Sequence, residues 1–139
     1  VNKGEIKMTI DEIFDLNDGP GSLHDLLNMH FVDFDEQGRV TVQVKVTQHL
    51  LNHDGIAHGG SIFTLCDTAV GSYYAIKKRK SVTLDSSIYF HAPGKLGSVL
   101  TAVVNERKIG RKVSVFLVEV HDDEKRHVAD ATFTMYEKP

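Results

Sequence analysis

Between Gly59 and Ile76 the chain reads Gly-Gly-Ser-Ile-Phe-Thr-Leu-Cys-Asp-Thr-Ala-Val-Gly-Ser-Tyr-Tyr-Ala-Ile. From Ser61 onward Ile62, Phe63, Leu65, Cys66, Ala69, Val70, Tyr73 and Ile76 leave almost no polar face, so a helix here is buried nearly all round. Such a helix cannot lie on a surface. The rest of the chain has to enclose it, which narrows the fold more than any other feature of the sequence. One charged side chain interrupts the run, Asp67. A buried carboxylate is costly unless it is paired, protonated or retained for chemistry.

The enclosing material is β-structure. Val40, Val42, Val44 and Val46 alternate with Thr41, Gln43, Lys45 and Thr47, the period of a strand with one buried face. Residues 31–34, 81–90, 98–108, 112–121 and 128–136 are further strand candidates, separated after the helix by turn signals at 92–97, 109–111 and 122–125. About six strands joined by short turns favour an antiparallel meander curled around the helix, an α+β fold. The surplus apolar surface of helix and sheet calls for a second copy to cover it. Ahead of the first strand, Thr9 with Glu12 forms a capping box for a helix carrying Ile10, Ile13 and Phe14, and Ser22 can cap a second carrying Leu23, Leu26 and Leu27.

The 139 residues suit a single domain over 1–139. A net charge of −3 with 41% hydrophobic and 25% charged residues fits an ordinary globular protein, with no basic excess for nucleic acid. The lone cysteine, Cys66, excludes an intrachain disulfide and reads as a small core hydrophobe, so a reducing cytoplasm is the expected location. The first residues lack an apolar signal core, and the central run is too short and too interrupted to span a bilayer; no membrane insertion is expected.

The entrance and middle of the helix carry the candidate chemistry. Gly59 and Gly60 stand where unpaired N–H groups and the helix dipole favour developing negative charge, and glycine lets a ligand approach the backbone. The alternative is a tight turn that needs glycine. Asp67 lies eight residues beyond Gly59, about 12 Å along the axis at 1.5 Å per residue. One helix cannot bring both groups to one carbonyl. If they cooperate, they come from two subunits with antiparallel helices across a twofold axis; otherwise Asp67 is a structural carboxylate bonded to Thr or backbone donors. His49, His53, Asp54 and His58 could suggest a metal, but Asn52-His53-Asp54-Gly55 reads as a turn and no metal is expected. His24, His30, His91, His121 and His127 show no partner pattern and read as surface or ordinary packed histidines. Cys66 lacks an evident activating neighbour for a role as nucleophile.

The pattern Asn52-x-x-Gly55-x-x-His58-Gly59-Gly60-x-Ile62-Phe63-x-Leu65-x-Asp67 resembles the hotdog-fold acyl-CoA thioesterases of the PaaI type, named for phenylacetate degradation. The likeness continues through Val82-Thr83-Leu84-Asp85, Tyr89-Phe90-His91-Ala92-Pro93-Gly94 and Gly110-Arg111, and the order of elements agrees over roughly residues 22–137. Residues 1–21 carry no matching motif. The resemblance implies a curved antiparallel sheet wrapped around one long helix, dimers that usually pair into tetramers, and hydrolysis of acyl-CoA to a free acid and CoA. No cofactor beyond the CoA of the substrate is implied. By the same likeness Asp67 matches the catalytic carboxylate, as general base or nucleophile, and Gly59 the residue whose N–H polarises the thioester carbonyl. Asn52 and His58 match polar residues beside the scissile group, and Thr83 falls where human-type members carry a serine that helps hold the attacking water.

For the substrate's CoA, Gly60 and the cations Arg107, Lys108, Arg111 and Lys112 around Gly110 are the candidate contacts, with Lys95 and the 77–80 run as further cations. The plain alternative for each cation is a solvated turn or helix end. Phe63, Tyr73, Tyr74 and Tyr89 either line the acyl pocket or simply pack. Two other functions share this architecture: a hydratase or dehydratase acting on acyl thioesters, and a module that binds acyl-CoA without turning it over.

Overall fold

A computed structural model describes Ile10 and residues 22–139. The sheet has six strands, β1 (His30–Phe34), β2 (Val40–Lys45), β3 (Ser81–Phe90), β4 (Val99–Lys108), β5 (Val113–His121) and β6 (His127–Glu137). They lie in the order β1-β2-β4-β5-β6-β3, and every neighbouring pair is antiparallel. Accompanying the strands are a short α1 (Leu23–Leu26), a 3-10 turn at Gln48–Leu50 and the long α2 (Gly59–Ile76). The helix expected from Thr9 lies outside the described residues except for Ile10, which is helical and buried.

Alternation built the central strands as expected. Val40, Val42 and Val44 of β2, Leu100, Ala102 and Val104 of β4, and Phe116, Val118 and Val120 of β5 all turn inward and are buried. Against them α2 sets Ile62, Leu65, Cys66, Ala69, Val70, Tyr73 and Tyr74, and the helix packs on β2 through β6. Each large apolar side chain enclosed in this way contributes about 1.5–3 kcal/mol. The polar groups inside the helix are satisfied locally: Ser72 Oγ donates to the Thr68 carbonyl at 2.7 Å, one turn back. The curled sheet with its central helix is the expected hotdog arrangement.

The meander needs correction. β4, β5 and β6 do follow one another, but β3 pairs with β6 at the far edge and not with its sequence neighbour β4. The reason is the helix: α2 starts beside β2 and its C-terminal end delivers the chain to the opposite edge. It closes with Lys78 in a left-handed conformation (φ 55°), where Arg79 N–H donates to the Tyr74 carbonyl and Lys78 N–H to the Ala75 carbonyl, each at 2.9 Å. The return segment after β3 then crosses the sheet end, held by Ala57 N–H to the Gly94 carbonyl and Gly97 N–H to the Val46 carbonyl, both 2.8 Å.

Among the described residues, β3 and α1 each leave apolar side chains uncovered. β3 is an edge strand on which Val82, Leu84, Tyr89 and Phe90 are exposed. Ser22 does cap α1, accepting from Asp25 N–H, but Leu23 and Leu26 point to solvent. At the β4–β5 turn, a Cβ on Gly110 would stand 2.2 Å from the Val113 carbonyl oxygen, so only glycine fits there.

Candidate active site

The site begins with the cap of α2. His58 takes an extended conformation (φ −59°, ψ 139°), and its Nδ1 accepts from Gly60 N–H at 2.8 Å. Its carbonyl accepts from the N–H groups of Ser61 (2.8 Å) and Ile62 (3.2 Å). The first-turn amides are thus used one by one, except that of Gly59, which has no acceptor among the described residues. Helix N-termini leave such donors free, and here a single one remains. Over it lies Phe90: a Cβ on residue 59 would come within 3.2 Å of the Phe90 Cζ.

Asn52 shapes the loop that leads in. Its Oδ1 accepts from Asp54 N–H (2.9 Å) and Ile56 N–H (3.3 Å), closing the expected turn around Gly55 at φ 76°. Asn52, Gly59, Ile62, Phe90 and His91 then line a cavity of about 520 Å³. His58 and Gly60 adjoin it through the cap.

Asp67 opens elsewhere, into a cavity of about 640 Å³ that it shares with Thr68, Tyr74, Val82, Thr83 and Met135. Thr83 Oγ1 donates to Asp67 Oδ1 at 3.0 Å. A bulge between Thr83 and Asp85 in the β3–β6 pairing re-aims this part of the strand beside the helix. The structure therefore brings Asp67 together with Thr83, and Gly59 with Asn52, His58 and Gly60. It does not bring the two groups together within one chain. The helical rise of about 12 Å separates them.

Arg107, Lys108, Arg111 and Lys112 are exposed and line neither cavity. The cations around Asp67 are Lys78, Arg79, Lys80 and Lys138. Three belong to the 77–80 run, whereas Lys138 carries no sequence signal and arrives because its N–H donates to the Lys80 carbonyl at 2.9 Å. The run is more than a solvated helix end. Arg79 is ion-paired with Glu137, whose carboxyl the guanidinium holds below its ordinary range, and Lys77 Nζ stands 4.4 Å from the Tyr73 ring centroid.

Of the aromatic candidates, Tyr73 packs on Phe116 in the core, Phe63 leans on Phe133, Tyr74 joins the core and the Asp67 cavity, and Tyr89 is exposed. Cys66 is fully buried. Burial first, and the negative charges of Asp67 and Asp130 next, push its thiol up to about 12, which leaves no thiolate for catalysis.

The histidines fall into two groups. His49, His53, Asp54 and His58 do not converge; the one set with metal-ligating geometry among the described residues is His91, His127 and Asp130. His121 stacks on His127 with centroids 4.7 Å apart. The spacing of these histidines shows no partner pattern, because His91 and Asp130 are far apart in sequence and a strand bulge conceals the His127–Asp130 relation.

Comparison with known proteins agrees with this architecture. A family model described as the thioesterase superfamily matches residues 54–129. The acyl-coenzyme A thioesterase PaaI of Escherichia coli (strain K12) is 31% identical over 103 residues, covering 74% of this chain and 73% of that protein. The crystal structure of a hypothetical thioesterase protein with coenzyme A from Streptococcus pneumoniae TIGR4 superposes with a TM-score of 0.75 at 39% identity, over 80% of this chain and 86% of that one. A Streptococcus mutans UA159 protein bound to acetyl CoA gives 0.74 at 41% identity, over 80% and 89% of the two chains. No described helix is long and apolar enough to cross a membrane. The chain belongs to the thioesterase superfamily, as a thioester hydrolase of the PaaI type with a hotdog fold.

Proposed function

We propose that this protein hydrolyses acyl-CoA thioesters at sites shared between two copies, each joining the Asp67 cavity of one copy to the Gly59 end of α2 from the other. The observation that carries the reading is the division just described: a carboxylate with its hydroxyl partner in one cavity, a lone unpaired helix N–H in another. Neither suffices for thioester hydrolysis, which needs a nucleophile and stabilisation of the oxyanion together. The exposed apolar edge of β3 supports a neighbouring copy, since pairing there would cover Val82 and Leu84. Two such dimers would make the expected tetramer.

In the assembled site Asp67 takes a proton from water as its oxygen adds to the thioester carbon, and the Gly59 N–H receives the oxyanion. The tetrahedral intermediate collapses, the C–S bond breaks, and the CoA thiolate leaves and is protonated. The other route has the Asp67 carboxylate add to the same carbon and form an anhydride that water opens. A thiolate leaves readily in either case. Thr83 holds one oxygen of the carboxylate, which turns the other toward the reacting atoms. Lys78, Arg79, Lys80 and Lys138 around that cavity, with Arg107, Lys108, Arg111 and Lys112 further out, supply charge for the phosphates of CoA. The coenzyme A and acetyl CoA held by the two streptococcal proteins support this ligand class.

The test is complementation between two inactive variants. Asp67→Asn removes the base. Gly59→Pro removes the N–H at a position where proline is tolerated, because it opens the helix and His58 already has the extended conformation a following proline requires. Each variant alone should release almost no free CoA from an acyl-CoA. Mixed equally after dissociation and reassembly, half of the dimers are hetero-pairs with one intact site of two, restoring about a quarter of parental activity. No recovery from properly reassembled dimers would place both groups in one chain and overturn the shared site.

A further inference from the structure

The outer face of the sheet carries a second constellation near the start of β6. On a regular strand residues i and i+3 point to opposite faces. His127 and Asp130 escape this rule through a bulge: Val120 pairs with Ala129 but His121 pairs with His127, leaving Val128 as an extra residue. Val128 and Ala129 are accordingly both buried, and His127 turns to the face of Asp130. The bulged Val128 carbonyl also accepts from His91 N–H at 2.7 Å and Ala92 N–H at 3.3 Å, which fixes the end of β3. His91 then reaches the same carboxylate from the other side.

The donor atoms converge. His91 Nε2 lies 3.0 Å from Asp130 Oδ2, and His127 Nε2 lies 2.7 Å from Asp130 Oδ1. One donor atom from each residue falls within 4.8 Å of the others. Around a tetrahedral ion with bonds of about 2.0–2.2 Å, ligand atoms stand roughly 3.3–3.6 Å apart. The two His–Asp contacts reach that spacing by opening less than about 1 Å, with each neutral ring carrying its proton on Nδ1. Glu119 pairs with Asp130 across β5 and β6 and adds a second carboxylate to this face. The three side chains remain 42%, 41% and 32% exposed, which leaves an entry path and an open coordination position for water.

We infer that His91, His127 and Asp130 form a binding site for a divalent transition-metal ion, with zinc the best match to two imidazoles and one carboxylate. The inference does not rest on the shared thioesterase site: the donors meet on Asp130, away from Asp67 and Thr83, although His91 also borders the Gly59 cavity. Its consequence is mechanical. An ion there ties β6 to the end of β3, the segment that holds the Phe90 ring over Gly59.

The experiment uses the whole protein stripped with a chelator. Titration calorimetry should find one Zn²⁺ per chain, Co²⁺ should develop visible absorption from nitrogen and oxygen ligation, and Zn²⁺ should raise the Tm. Asp130→Asn, nearly isosteric, and His127→Ala should each weaken Zn²⁺ at least about tenfold and abolish the Tm rise. His53→Ala, which removes an exposed histidine beside Asp54, should change nothing. Circular dichroism of the stripped variants distinguishes loss of the site from loss of fold, and His91→Asn replaces either variant that fails to fold. An absence of Zn²⁺ and Co²⁺ binding by the parent, or binding undiminished in folded variants of Asp130 and of either histidine, overturns the assignment.

Discussion

Thr83 Oγ1 lies 3.0 Å from Asp67 Oδ1 and 3.4 Å from Met135 Sδ, and has one proton to give. The carboxylate is the stronger acceptor, so the threonine acts as a donor to Asp67 from a strand that a bulge has turned toward the helix. Hydrogen bonds to charged groups are worth about 1.5–3 kcal/mol, which corresponds to roughly 10- to 100-fold in rate. Thr83→Ala is expected to lower kcat/KM for acyl-CoA by that factor, whereas Thr83→Ser, which keeps the hydroxyl, should stay within a few-fold of the parent. Steady-state release of free CoA measures both. Equal rates in the two variants would remove Thr83 from the mechanism.

At residue 59 the donor and the space around it can be separated. Gly59→Ala keeps the N–H and asks only that the Phe90 ring yield from a 3.2 Å contact. Gly59→Pro deletes the donor. Loss of one oxyanion donor costs about 10²- to 10³-fold in kcat, so the proline variant is expected to fall by that much and the alanine variant far less. Matching losses in the two would mean that crowding against Phe90, and not the missing N–H, sets the rate.

Cys66 bears on how such assays are read. Its thiol is fully buried and pushed up to about 12. A thiol reagent added to the native protein at pH 8 is expected to find no reactive cysteine, and one equivalent per chain after unfolding in guanidinium. Cys66→Ala should retain turnover, because a thiol without thiolate is not a nucleophile. Rapid modification of the native protein, or loss of activity in a folded Cys66→Ala variant, would contradict this.

The strands were legible because burial on one face writes itself into alternation. Val40, Val42 and Val44, or Leu100, Ala102 and Val104, announce both the strand and its inner face. The partner of β3 was not, because its own residues say nothing about whether β4 or β6 lies beside it. That choice is made by the direction in which α2 carries the chain. Among the site residues, Asp67 and Gly59 stood out by physical chemistry alone, as a charge in an apolar helix and a glycine at its mouth. His58 as the cap did not, since histidine is not among the preferred N-cap residues and only the geometry of Nδ1 toward Gly60 reveals the role. The bulge at Val128 hid the His91–His127–Asp130 set by cancelling the period-two rule that sequence reading depends on.

Asp35 makes a prediction about stability and not catalysis. It closes the β1–β2 turn: Oδ1 accepts from the N–H groups of Gln37 and Arg39, each at 2.9 Å, and Oδ2 accepts from Arg39 Nε at 2.7 Å. Burial alone would raise its carboxyl, but the two amides and the guanidinium outweigh burial and hold it below the usual 3.8. A depressed folded-state pKa contributes stability that is complete above the unfolded-state value and is lost as pH falls through the folded-state value. Asp35→Asn preserves the shape and one acceptor oxygen while removing the charge, so it should cost about 1 kcal/mol at neutral pH. Urea unfolding of the parent and the variant should show a constant gap from pH 8 down to about pH 5, closing in more acid solution as Asp35 takes up its proton. A gap that persists unchanged well below the usual carboxylate range would mean that the turn depends on the shape of residue 35 and not on its charge.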